Sequence, residues 1–185
     1  MTTRNDKLEL ILQAIQSGGS TDDAIRTVAK GVTGHGYYSS TTGTVGTPIV
    51  TAAGNKTSLN FDNAVFEDYL PYGATTLFTG GRVSPQAVGD TYSCRISFFA
   101  SSTVSNGAFS LEMDISAAGD GSDVIAKKPV RMIRGSNQFE LYTVDLDMFS
   151  RDTFLANGGL IKLEAVDGNI SIHTLNLLVT KTTAG

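Results

Sequence analysis

The stretch "AFSLEMDIS", residues 108–116, alternates without a break: Phe109, Leu111, Met113 and Ile115 fall on one side, and Ser110, Glu112, Asp114 and Ser116 on the other. A period of two is that of a β-strand with one apolar and one polar face, and an α-helix does not reproduce it. Just upstream, "TYSCRISFFAS" (residues 91–101) repeats the pattern, with Tyr92, Cys94, Ile96 and Phe98 sharing one parity. Between them "STVSNG" carries Asn106-Gly107, a dipeptide that favours a tight turn, so the two strands are expected to form a hairpin. The polar parity of 108–116 reads as a solvent face.

Further strand signals follow toward the C-terminus. "NQFELYTVDLDMF" (137–149) has strand composition from Phe139 to Leu146, and "GGLIKLEAV" and "NISIHTLNLLVTKT" flank Asp167-Gly168-Asn169, a second hairpin signal. The last of these is apolar on both parities at Leu175, Leu177, Leu178 and Val179, which predicts a central strand or one covered by another subunit. Short strands at this spacing, separated by Gly-rich turns, predict a mainly β fold, an antiparallel β-sandwich with a jelly roll as first choice.

The bulk properties agree. The chain has 185 residues, 41% hydrophobic and 17% charged, with 20 Gly, 4 Pro and no Trp, which suits one well-buried, turn-rich domain. Its net charge of -4 and scattered basic residues argue against a nucleic-acid surface, which has to neutralise phosphates with clustered Lys and Arg. The nearest approach to a basic patch is "AKKPVRMIR", with Lys127, Lys128, Arg131 and Arg134. A single cysteine, Cys94, allows no internal disulfide, and its apolar parity predicts a buried structural thiol. No apolar run is long enough for a transmembrane helix, and "MTTRNDKLEL" has charges where a secretory segment is apolar, so folding in a cytoplasm is expected.

The N-terminal part has a different period. In "DKLELILQAIQSGG" (6–19), Leu8, Ile11, Leu12 and Ile15 fall at i, i+3, i+4 and i+7, one stripe of an amphipathic helix, while Leu10 lies roughly opposite Leu8. Gly18-Gly19 end this helix, and "STDDAIRTVAKG" (20–31) carries capping and exit signals for a second, weaker one. Burying four Leu or Ile side chains yields about 6 to 12 kcal/mol, against about 12 to 24 kcal/mol for ordering a dozen residues. The segment therefore needs a docking surface, and its two apolar sides point to self-association or insertion between partners. The expected organisation is a helical arm over 1–31, a Gly/Ser/Thr-rich linker or extended arm over 32–56 with a short strand near Pro48 to Ala52, and a β-sandwich over 57–185.

Groups able to do chemistry are sparse. His35 and His173 have no Cys, Asp or Glu at metal-ligand spacing, and "GDGSD" (Asp120, Asp123) lacks the oxygen ligands of a full calcium loop, so neither metal nor cofactor is expected. Glu112 and Asp114, about 7 Å apart on one strand side, match the separation of some glycosidase carboxylate pairs, although alternation favours a plain solvent face. "FDNAVFEDYLPYG" gathers Phe61, Phe66, Tyr69 and Tyr72, and exposed Tyr69 and Tyr72 are candidates for stacking on sugar rings, with core packing as the alternative.

A short amphipathic segment "LELILQAI", a Gly/Ser/Thr linker and a β-sandwich without catalytic equipment together resemble the small accessory virion proteins of tailed bacteriophages, the head decoration proteins and head fibres. The resemblance is architectural and covers the whole chain. It implies a structural, non-enzymatic virion protein, a homotrimer with a jelly-roll head, with Leu8, Leu10, Ile11, Leu12 and Ile15 contacting the oligomer or the major capsid protein. The alternative is a receptor- or glycan-binding module of tail-fibre or lectin type.

Overall fold

The computed structural model describes residues 33–71 and 74–183. The expected helices, the arm residues Leu8, Leu10, Ile11, Leu12 and Ile15, and Tyr72 lie outside the described residues. In chain order the elements are β1 (Gly34–Ser39), β2 (Ile49–Thr51), β3 (Lys56–Ser58), β4 (Asn63–Tyr69), β5 (Phe78–Thr79), β6 (Arg82–Val83), β7 (Thr91–Ser102), β8 (Ala108–Asp114), β9 (Val124–Arg131), β10 (Glu140–Phe149), α1 (Asp152–Asn157), β11 (Gly159–Asp167) and β12 (Ile170–Thr183). They build two antiparallel sheets. The first runs β10-β7-β12-β1-β4, with β2 also on β12, and the second runs β5-β6-β11-β8-β9, with β3 also on β11. The fold is an antiparallel β-sandwich of jelly-roll type.

The alternation of 91–101 and 108–116 is realised as two buried faces, but not as a hairpin. β7 pairs with β10 and β12 in one sheet, and β8 pairs with β9 and β11 in the other. The apolar parities meet across the sandwich, where the Phe98 and Phe109 rings lie 5.6 Å apart. The second expected hairpin is corrected in the same way: β11 and β12 belong to different sheets, and Asp167-Gly168-Asn169 carries the chain between them. Turn chemistry specifies a local reversal, with Asn106 (φ 55) and Gly168 (φ 72) both left-handed, and does not say whether the strands leave side by side or face to face. The two crossings are tied together, since Thr103 N–H donates to the Asn169 carbonyl (3.0 Å) and Asn169 N–H to Thr103 Oγ1 (3.0 Å).

Residues 33–56, expected as a linker or extended arm with a short strand near Pro48 to Ala52, are built into the sandwich, and the expected strand is β2. β1 lies between β12 and β4, β2 extends the same sheet, and Lys56 opens β3. Tyr38 anchors it, fully buried, with its hydroxyl donating to Glu67 Oε1 (2.6 Å) and accepting from Leu77 N–H (2.8 Å). Glycine here is a steric requirement: a Cβ on Gly36 would sit 2.4 Å from the Tyr38 hydroxyl. β12 is the central strand of its sheet, with Leu175, Leu177 and Val179 in the core and Leu178 on the outside. A register shift at Thr174 (φ 56) keeps Ile170 and Ile172 on the same inner face.

The strands at the ends of the two sheets are built against strand addition. β4 is broken by two register shifts against β1, β5 is two residues long, β9 carries Lys127, Lys128, Pro129 and Arg131, and β10 carries Asp145 and Asp147. Irregular, short or charged edges pair poorly with another chain's backbone.

Met113 sits fully buried on the inner face of β8. Met113→Asp places an unpaired charge there and is expected to cost several kcal/mol, lowering the urea midpoint or abolishing cooperative unfolding followed by circular dichroism. A variant that melts like the parent contradicts this placement.

Candidate functional site

The polar side of β8 is not a solvent face. Glu112 and Asp114 are 1% and 0% exposed, and the lysines of neighbouring strands close over them. Lys56 Nζ donates to Glu112 Oε1 (2.6 Å), Lys127 Nζ lies 3.7 Å from Glu112 Oε2, and Lys127 also pairs with Glu164. Glu112 Oε2 itself has no hydrogen-bond partner. Lys162, one strand away on β11, brings Nζ to 2.7 Å from Asp114 Oδ2 and also donates to the Gly119 carbonyl. The loop holding "GDGSD" wraps this pair: Gly121 N–H donates to Asp114 Oδ2 (2.8 Å), and Ser116 N–H (3.0 Å) and Oγ–H (2.7 Å) donate to Oδ1. The cation in this loop is thus Lys162. Among the described residues no group of three or more His, Cys, Asp or Glu is placed to hold a metal ion.

Burial alone would raise the Asp114 pKa, but the Lys162 ammonium and the Ser116 and Gly121 donors outweigh it and hold the carboxyl at about 2. A carboxylate so stabilised is a poor proton donor. The strand alternation located this pair but not its cover, because Lys56, Lys127 and Lys162 come from three other strands.

The outer face of the first sheet has the opposite character. The His35 ring lies 5.5 Å from Tyr69 and 6.2 Å from Phe66, each at 25° between planes, and Phe66 and Tyr69 are 5.7 Å apart. Tyr69 is 60% and Phe66 38% exposed. Tyr37 is paired opposite both Phe66 and Leu178, so the patch runs from β4 across β1 to β12. Further along the same face His173 is stacked on Phe99 (5.2 Å) and flanked by Phe139 (4.6 Å), with Leu141 paired opposite Phe99 and 58% exposed. The polar residues between the two patches are mostly short: Ser39, Asn176, Ser97 and Thr143, with Arg95 and Asp145 neutralising each other at 2.8 Å. Of the two tyrosines singled out from the sequence, Tyr69 is exposed as stacking requires. His35 and Phe99 join these patches through cross-strand register, which no local pattern displays.

A cleft of about 470 Å³ opens beside β4, lined by Asn60, Asp62, Gly80, Gly81 and, at its base, Tyr38 and Phe78. Asp62 accepts from Thr41 N–H (2.7 Å) and from the Thr41 hydroxyl, which lower its pKa. The aromatic rings at the base are buried and offer no stacking face. Among the described residues no helix is long and apolar enough to cross a membrane.

These surfaces belong to a jelly-roll sandwich with one ionic and one aromatic outer face. No family model and no curated protein sequence matches the chain. Among solved structures it is similar to the PRD1 vertex protein P5 (17% identity, covering 83% of this chain and 74% of that one, TM-score 0.47) and to Eiger TNF from S. frugiperda (13%, 83% and 94%, TM-score 0.49). It is also similar to a carbohydrate binding module from Cellvibrio mixtus lichenase 5A, solved with cellotriose (14%, 83% and 90%, TM-score 0.39). The likeness stops at general architecture and assigns no role to any residue here.

The buried pair sets an acid limit. Asp114 has a folded-state pKa below its unfolded value of about 3.9, so its contribution is fully present above that pH and is lost as pH falls toward 2. Denaturant titrations between pH 5 and 2 are expected to show this loss in the parent and a flatter profile in Asp114→Asn. At pH 7, Lys162→Met leaves the carboxylate buried and unpaired and is expected to cost about 3 to 5 kcal/mol.

Proposed function

We propose that the chain is a structural, non-enzymatic component of a virus particle, of the capsid-decoration or head-fibre kind. In this reading residues 1–31 attach it and the sandwich is the head of a homo-oligomer, a trimer by analogy with the phage proteins it resembles. Its partner is the major capsid protein or another virion protein, with no role for nucleic acid or membrane. The observation that carries the reading is the contrast between faces and edges. Strand edges are blunted, while the first sheet exposes Phe66, Tyr69, Phe99, Leu141 and Phe149 on one outer face. Other exposed apolar side chains, Val45, Val88, Ile133 and Leu155 among them, lie elsewhere, but these five share one face, and such a cluster is the kind of surface that marks a contact. A hydrolase is disfavoured because Glu112 and Asp114 are held by lysines under the surface instead of facing a cleft.

A glycan-binding module is the second reading, favoured by one observation: Tyr69 presents an open ring braced by His35 and Phe66, a geometry suited to stacking on a sugar.

Among the described residues the buried apolar core runs from Tyr38 to Val179. Deleting residues 1–19 is expected to leave the β circular-dichroism spectrum and cooperative melting intact. It should abolish the oligomer in light scattering or co-sedimentation with particles, and Leu8→Asp with Ile15→Asp should act likewise. A monomeric full-length chain that binds no particle overturns the assembly reading. Glycan-array binding lost in Tyr69→Ala would put the second reading in its place.

A further inference from the structure

Among the described residues, the cleft beside β4 shares no lining side chain with the aromatic patches or with the ion pairs of β8. It opens where the chain crosses from β3 in the second sheet to β4 in the first, and the β5–β6 turn lines it as well. Along the crossing Leu59 and Phe61 are buried, so the intervening Asn60 and Asp62 stand on the exposed side. The frame is pinned at several points. Leu59 N–H donates to the Ile161 carbonyl (2.8 Å), Phe61 packs edge-on against Phe78 (5.6 Å), and Thr41 holds Asp62 through its N–H and its hydroxyl. Beside Asn60 the turn is bare: Gly80 and Gly81 are both left-handed (φ 58 and 78), and a Cβ on Gly80 would meet nothing within 4 Å. One on Gly81 would stand 3.5 Å from Asn60 Oδ1. A preformed recess of about 470 Å³ is of the size that takes a small molecule.

The polar groups around the cleft select by charge and by hydrogen-bond type. Ser58, Asn60 and Thr79 have no side-chain hydrogen-bond partner among the described residues, and they offer hydroxyls and an amide that both donate and accept. Asp62 is the one acid in the described lining, kept ionised by the Thr41 bonds that lower its pKa. The described lining holds no lysine or arginine, and Arg82, next to Gly81, spends its donors on the carbonyls of Ser116, Ala117 and Asn157. A phosphate, sulfate or carboxylate ligand would therefore face a like charge with nothing to offset it. An ammonium would find a single carboxylate, already shared with Thr41, among groups that donate as well as accept. Neighbouring hydroxyls on one small ring suit the set better, since they donate to the remaining lone pairs of Asp62 and accept from the Asn60 amide. We infer that the cleft binds a neutral mono- or disaccharide, held edge-on through Asn60 and Asp62 without ring stacking. Tyr69 takes no part in it, and the site needs neither a particle nor an oligomer.

The test is saturation-transfer difference NMR on the full-length chain, with cellobiose, maltose, lactose and N-acetylglucosamine as probes. At least one of these sugars is expected to receive saturation and to titrate with a dissociation constant of about a millimolar, as hydrogen bonding without stacking allows. Asn60→Ala, at an exposed position, should weaken that sugar by about tenfold. Ala64→Phe, also exposed, should fill the cleft and abolish the signal. Both variants should keep the parent's β circular-dichroism spectrum, and Asn60→Ala decides alone if Ala64→Phe does not fold. Tyr69→Ala should leave the titration unchanged. The inference is overturned if none of the sugars binds, if Asn60→Ala titrates like the parent, or if galacturonate or cadaverine binds in their place. A signal lost in Tyr69→Ala also overturns it and moves the sugar to the outer face of the first sheet. A chain that proves monomeric and binds no particle removes the assembly reading, while a sugar signal lost in Asn60→Ala upholds the cleft in either case.

Discussion

The structure depends on two sheets meeting through their apolar faces, as where the Phe98 and Phe109 rings come together beside the β7–β8 crossing. β7 and β8 have opposing buried parities and are each hydrogen-bonded on both sides by other strands, so the five residues between them must cross from sheet to sheet. The same holds for β11 and β12, and the hydrogen bonds of Thr103 with Asn169 fasten the two crossings to each other. Once β12 is central, β1 has to add beside it, and a stretch with the composition of a linker becomes a core strand anchored by Tyr38. Burial raises the Tyr38 hydroxyl pKa to about 12, with the bond to Glu67 adding to it, so this anchor stays a neutral donor.

The outer faces diverge because they solve different problems. The second sheet buries carboxylates on its outside and must neutralise them: Lys162 for Asp114, Lys56 and Lys127 for Glu112, Lys127 again for Glu164. Such a layer fixes register, since each lysine reaches its acid only when its strand is correctly placed, and a one-residue slip turns every side chain over. The first sheet has no such layer. Its outside carries stacked rings, small hydroxyls and amides, the Arg95–Asp145 pair, and Asp147 toward the β10 edge. The outer face of the first sheet thus exposes apolar rings, while the acids of the second are tied up in ion pairs.

How much was legible in the sequence follows from the range of each signal. Alternation is local, and it found β7, β8, β10, β11 and β12, the buried state of Cys94, the double-sided character of β12 and the two-sheet class. Composition is local too, and it hid β1, where Gly36 has to be glycine because a Cβ there would meet the Tyr38 hydroxyl, while the short strand expected near Pro48 to Ala52 is β2. The turn signals at Asn106-Gly107 and Asp167-Gly168-Asn169 marked reversals correctly and pairings wrongly.

Backbone period and residue polarity by themselves determined which residues are strands and which of their sides are apolar. Only the tertiary structure decided which strands share a sheet, that Glu112 and Asp114 lie under lysines from β3, β9 and β11, and that His35 stands between Phe66 and Tyr69. The physical reason is one of distance along the chain. A residue's own face is set by its neighbours two positions away, whereas its cover is supplied by strands separated by tens of residues, whose register is fixed only when both sheets close on one core.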